Sequence, residues 1–200
     1  MCVGGVQRIV PGQQSGRVVM TKWRCILVIA LAMVVSAATS TMAGTDSLSD
    51  FVETYQCSLQ GLIAKILARD TRVEHGRFVV LSLADPAANY VQCHFGERDR
   101  EALCEASSGW FNRHGEKRHF TPIQLHALQK LGFSTDGSHG NFQRHIHFAS
   151  YGPEPYALAG MMLSALYEGY DARKDLPIEV VAPFALRHGY LPRERCVPIS

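Results

Sequence analysis

Residues 89–108 read NYVQCHF, GERDR, EALCEASS. In the first block Val91, Cys93 and Phe95 alternate with Tyr90, Gln92 and His94; in the last, Ala102, Cys104 and Ala106 alternate with Leu103 and Glu105. A two-residue period is that of a half-buried strand. A turn centred on Arg98 and Asp99 sets Cys93 opposite Cys104 and Val91 opposite Ala106, which gathers the small and apolar side chains on one face. A slip of one residue would turn all of them to solvent, so the register is specified. The charged run from Glu97 to Glu101 is a solvated tip, as such runs ordinarily are.

The hairpin is followed by the best-marked helix of the chain. Thr121 with Gln124 three residues on is a capping box, and Pro122 takes the first helical position, where its missing N–H costs nothing. Leu125, Leu128 and Leu131 make its expected buried stripe, and Gly132 ends it. Upstream, Ser47 and Asp50 open a longer helix. Phe51, Val52, Tyr55, Leu59, Leu62, Ile63 and Ile66 recur along it at helical spacing, a wide apolar stripe expected to bury against a sheet, with Cys57 nearly opposite. RFVVLSLA (77–84) reads as a strand ended by the Asp85-Pro86 turn. FQRHIHFA (142–149) alternates, with Phe142, Ile146 and Phe148 inward and Gln143, His145 and His147 outward. A third helix is expected over 154–170, with Leu158, Met162, Ala165 and Leu166 on one face. IEVVAPF (178–184) reads as a last strand, placed at an edge by Pro183. These elements predict an α+β fold: an antiparallel sheet of four to five strands with helices packed on one face.

The N-terminal residues have a different character. Residues 20–43 carry a basic start (Lys22, Arg24), an apolar core from Cys25 to Val35 and small residues ending at Ala43. That is the layout of a secretory signal peptide, and the apolar run is short for a bilayer-spanning helix. The expected organisation is therefore an extension at 1–19 with Met20 as the true start, a signal peptide at 20–43, a domain at 44–186 and an irregular tail at 187–200. The expected location is the periplasm or outside the cell, with an uncleaved membrane anchor as the alternative. The whole chain has 20 basic and 18 acidic residues, and 1–43 holds four of the basic ones (Arg8, Arg17, Lys22, Arg24) and none of the acidic. The remainder has 16 against 18, near −2, which leaves no electrostatic footprint for nucleic acid. The local cluster Arg113, His114, Lys117, Arg118, His119 reads as loop rather than anion site.

Four cysteines follow the signal: Cys57, Cys93, Cys104 and Cys196. An oxidising compartment makes an even number suggestive, although four cysteines permit three connectivities. Opposed strand residues come close enough to bond, so Cys93 and Cys104 either form a disulfide or sit as two small buried thiols. Cys57 points away from its helix's core stripe, where the tail carrying Cys196 can cross and tie down.

With YVQ at 90–92, Glu105-Ala106-Ser107 closing a strand, LGF at 131–133 and Asn141-Phe142 after a loop, the chain from about Ser47 to Phe184 resembles the TY-Chap family. This is the peptide-binding chaperone group that links type III secretion chaperones with YbjN-like proteins. The resemblance implies a secretion-chaperone-like sandwich, often dimeric, that holds an extended segment of another protein. Members are largely cytoplasmic, and secretion chaperones have a hairpin where this chain places its third helix.

No G-x-S-x-G, P-loop or H-E-x-x-H motif occurs, and no nucleophile has a catalytic context, so turnover is not expected. No cofactor is expected either. The expected function is an exported, non-catalytic, chaperone- or adaptor-like binding protein for an extended peptide or protein segment. Its expected contact residues are Gln92, His94 and Glu105 on the sheet with Ser134 and Asn141 in the loop. One alternative is an inhibitor or immunity-type protein with a single exported partner. The other is a histidine-based binder of metal or a small ligand through His139, His145 and His147, for which exposed strand histidines are the blander reading.

Overall fold

The computed structural model of the chain describes residues 46–68, 76–83, 89–96, 101–109, 118–148, 154–185 and 187–196. The expected extension and signal peptide, the Asp85-Pro86 turn, the tip at 97–100 and residues Arg113, His114 and Lys117 lie outside them. Helix α1 spans Leu48–Leu67, capped by Ser47, whose hydroxyl accepts from the Asp50 N–H. Strands β1 (Phe78–Ser82), β2 (Tyr90–Phe95) and β3 (Glu101–Ala106) follow, then helix α2 (Pro122–Lys130), β4 (Phe142–His147), helix α3 (Pro155–Tyr170), β5 (Glu179–Ala182) and β6 (Arg187–Tyr190). The strands form one antiparallel sheet in the order β4-β3-β2-β1-β5-β6. The fold is α+β, with one strand more than the upper expectation. The first four strands form a meander interrupted by α2, and α3 returns the chain across the sheet to β1.

Strand parity explains why one face is apolar. Val79, Leu81, Val91, Cys93, Phe95, Ala102, Cys104, Ala106, Val180 and Ala182 all point to the helices and are buried. The register places Cys93 opposite Cys104 and Val91 opposite Ala106, as the alternation requires. Above this face, α1 lies chiefly along α3 and reaches the sheet through β1. Phe51 sits between the Tyr55 and Tyr167 rings, each with a centroid distance of 5.3 Å. Each such fully buried apolar side chain contributes roughly 1.5–3 kcal/mol.

Helix α2 has its capping box, with the Thr121 hydroxyl accepting from Gln124 N–H and the Gln124 side chain accepting from Thr121 N–H, and Gly132 follows it at φ +83°. Its leucine stripe is narrower than expected: Leu128 is fully buried, Leu125 and Leu131 only half. The helix packs closely on α3 at Gly169, where a Cβ would lie 2.9 Å from Leu128 Cδ2. Gln124 takes the remaining buried position because its amide donates to Asp171 Oδ2 at 2.7 Å. Asp171 itself holds the left-handed conformation after α3 (φ 59°), which its short polar side chain tolerates.

Two expectations about the C-terminal part are corrected. Strand β5 is not at an edge, because Arg187–Tyr190, expected to be irregular tail, pair with it as β6. Pro183 lies just past β5, in a 3-10 turn over Pro183–Ala185, so the ladder never asks for its N–H.

Candidate functional site

The helices leave the other face of the sheet open among the described residues. Register places Gln143, Glu105, Gln92, Val80, Val181 and His188 in one row across it. Glu105 is the centre of that row's polar half. Its carboxylate accepts from Gln92 Nε2 at 2.5 Å and from Gln143 Nε2 at 3.1 Å, linking three strands. The neighbouring row is His145, Leu103, His94 and Phe78, and beyond it His147 faces Glu101. His147 Nδ1 lies 4.0 Å from Glu101 Oε2. Here the surface dips into a depression of about 300 Å³ bordered by His94, Glu101, Leu103, His145 and His147.

Of the expected contact residues, Gln92, His94 and Glu105 therefore lie together on the open face. Ser134 lies at its β4 border, where its N–H donates to the Gln143 carbonyl at 2.8 Å. Asn141 is buried instead. It is 6% exposed, and its side chain donates to the Tyr90 hydroxyl at 2.7 Å and accepts from Ser108 N–H. A buried amide so occupied holds the loop to the sheet. Burial, aided by the nearby Glu105 charge, pushes the Tyr90 pKa above its ordinary value, against the opposing Asn141 hydrogen bond. The histidines divide similarly: His145 and His147 share the open face, while His139 is exposed in the preceding loop. Among the described residues no group of three His, Cys, Asp or Glu side chains is arranged to hold a metal ion.

Arg118 of the basic cluster is committed to structure. Its guanidinium sits 5.1 Å from the Phe120 ring centre and 5.0 Å from that of Tyr170, donates to Asn89 Oδ1, and lies 3.8 Å from Asp171 Oδ2. Tyr170 is buried alongside, donating its hydroxyl to the Ser107 carbonyl at 2.6 Å, and burial pushes its pKa far above the ordinary range.

Both expected cysteine pairs are at bonding geometry. Cys93–Cys104 joins β2 to β3 with Cα atoms 4.0 Å apart. Gly96 N–H donates to Glu101 O and Ser107 N–H to Tyr90 O, so pairs 96/101 and 90/107 are hydrogen-bonded and 93/104 is not. The non-hydrogen-bonded position is the closer of the two kinds, which suits a cross-strand bond. Cys57–Cys196 joins α1 to the chain's end across 139 residues, with Cα atoms 5.2 Å apart. Ion pairs and hydrogen bonds accompany it: Arg195 to Asp50 at 3.0 Å, Ser58 to Glu194 at 3.1 Å, and Arg193 Nε to the Tyr55 hydroxyl at 3.0 Å. Two disulfides fit an oxidising compartment. Among the described residues no helix is long and apolar enough to cross a membrane.

Two features of this surface escaped sequence reading. The Ser134 bridge to β4 leaves no mark in composition, since any residue but proline can make it. The edge position of β4 follows only from strand order, which local alternation does not encode. Compared with known protein families, with curated proteins and with solved structures, the chain matches none.

Proposed function

We propose that the chain is an exported, non-catalytic binding protein, chaperone- or adaptor-like, that engages an extended segment of a partner protein. The observation that carries this reading is a six-stranded antiparallel sheet whose helices, among the described residues, serve one face and leave a polar row and a shallow depression uncovered on the other. Extended segments are recognised by sheets through backbone pairing for affinity and side-chain pockets for specificity. The TY-Chap resemblance points to the same chemistry. The signal-like segment at 20–43 and the two disulfides favour the periplasm or the exterior as the place of action.

Affinity capture from the envelope of the native host tests it, with the oxidised protein as bait and the triple variant Gln92→Ala, His94→Ala, Glu105→Ala as control. The expected result is stoichiometric protein partners held by the wild type and lost by the variant, with the circular dichroism spectrum of the folded chain and both disulfides retained. Several unrelated clients indicate a chaperone, and one partner indicates an inhibitor or immunity-type protein. Equal capture by the two would reject the open face as the site.

A further inference from the structure

We infer that engagement occurs at the free edge of β4, where a short extended segment of a partner protein pairs with His145–His147 as a seventh strand. This rests on the binding reading above and names its site. Backbone parity supplies the first support. Residues 101, 103, 105 and 107 direct their backbone groups to β2, as the Gly96–Glu101 and Tyr90–Ser107 hydrogen bonds show. Residues 102, 104 and 106 therefore serve β4, and their partners Ile146, Arg144 and Phe142 are satisfied by β3. Gln143, His145 and His147 are left with N–H and C=O pointing out of the sheet. Ser134 demonstrates this directly, because its N–H reaches the Gln143 carbonyl from outside at 2.8 Å in an antiparallel bridge. The edge already accepts one antiparallel residue, and among the described residues nothing continues that pairing to His145 and His147.

The opposite edge is protected in a way β4 is not. Strand β6 has four residues, includes Gly189, and covers its outward Tyr190 carbonyl with the Arg187 guanidinium at 2.5 Å. Short length and charged side chains are the devices by which proteins disable sheet edges. Strand β4 is six residues long with neither device over its last half. Beside that half lies the 300 Å³ depression, so a residue pairing with His145 or His147 can send a long side chain over β4 towards Leu103 and Glu101. The lining of imidazole rings and a leucine favours an aromatic side chain there.

A second copy fits less well than a foreign segment. Two β4 edges meeting about a two-fold axis run antiparallel, so each copy's chain beyond His147 is carried towards the other's Ser134. Ser134 already holds that end of the edge. A peptide is free to turn away after two paired residues.

Selection of a displayed random octapeptide library on the oxidised full-length protein provides probes. The selected peptides are then N-methylated one residue at a time. Removing a backbone donor from the pairing should weaken binding at least about tenfold at alternate residues and leave the intervening ones nearly unchanged. His145→Pro and His147→Pro each delete an outward N–H, a substitution that an edge strand tolerates. Each should lower affinity by the same factor while the melting temperature and both disulfides persist. Absence of binders, binders indifferent to N-methylation, or binders unaffected by both prolines would overturn the assignment. So would a dimer in light scattering that His147→Pro dissociates, which would make a second copy the occupant. Envelope capture persisting in His147→Pro would reject the edge while leaving the binding reading intact. Loss of capture by the wild type itself would reject the reading.

Discussion

The same covalent bond does two different jobs in this molecule. Cys93–Cys104 lies beneath the helices, each cysteine 0% exposed, and joins residues that the β2–β3 ladder already holds side by side across 11 positions. Cys57–Cys196 lies on the outer side of α1, with Cys196 exposed, and joins two places 139 residues apart that no strand pairing among the described residues brings together. The hairpin bond is redundant with the sheet in the native state, whereas beyond β6 and Leu191 the chain's end is held by its bond and a few polar contacts. A disulfide acts mainly by restricting the unfolded chain, and that restriction grows slowly with loop length. The exposed bond is thus expected to matter more for stability and to resist reductant less.

Removing the tail clasp should therefore produce the largest change. The pair Cys57→Ala, Cys196→Ala is expected to lose roughly 3–5 kcal/mol in denaturant unfolding of the oxidised protein. Mild dithiol treatment under native conditions, followed by alkylation and peptide mapping, should label Cys57 and Cys196 before Cys93 and Cys104. Labelling of all four at one rate would show that opening of the tail and of the core are a single event, and would dissolve the contrast.

The hairpin bond is the sharper control. Replacing it with Cys93→Val and Cys104→Ala conserves volume in the packed face, so the loss should be close to the loop term alone, roughly 2–3 kcal/mol. The register should survive, because it rests on the side-chain alternation and on ladder hydrogen bonds rather than on the sulfurs. Amide hydrogen exchange across β2 and β3 reads this directly. A loss exceeding that of the clasp variant would mean that the bond holds the hairpin in register.

How much of this was legible depended on whether a feature is local. The hairpin register could be read because Val91, Cys93, Cys104 and Ala106 obey one parity, and both helix caps could be read from Ser47 and from Thr121 with Gln124. Cys57 was recognisable as a tail anchor because it departs from its helix's apolar stripe. Strand β6 was not legible: RHGY is short, contains Gly189 and offers no apolar alternation, and it becomes a strand only because β5 supplies a ladder. Asn141 looked like an exposed loop amide, and only the arrival of Tyr90 from another strand buries it. Gln124 took a place assigned to leucine because Asp171, 47 residues away, satisfies its amide. In each miss a distant partner changed what a residue's own neighbourhood implied.

The smallest expected effect concerns the polar contacts that help the clasp. Asp50 accepts hydrogen bonds from Lys174 and Arg195, and Lys174 also faces Asp46 at 3.5 Å. The Lys174 hydrogen bond, more than the surrounding charges, holds the Asp50 carboxyl below its ordinary 3.8, and Asp50 reciprocally raises Lys174 above its ordinary 10.5. A depressed carboxyl contributes stability that is fully present above its unfolded pKa and is lost as pH falls through the lower folded one. A raised ammonium contributes stability that is present below its unfolded pKa and is lost as pH rises through the higher folded one. Both contributions are therefore intact across the neutral range and fail only at the extremes. Asp50→Asn should lower the melting temperature slightly at neutral pH, and the difference from wild type should shrink as the pH is taken below the ordinary carboxylate value. It should also shrink in high salt, since these groups are partly exposed and screened. In the Cys57→Ala, Cys196→Ala background the tail lacks its bond, so Arg195 is no longer held beside Asp50. The effect of Asp50→Asn should then fall to what Lys174 alone provides. An undiminished effect there would show that the polar contacts keep the tail in place without the disulfide.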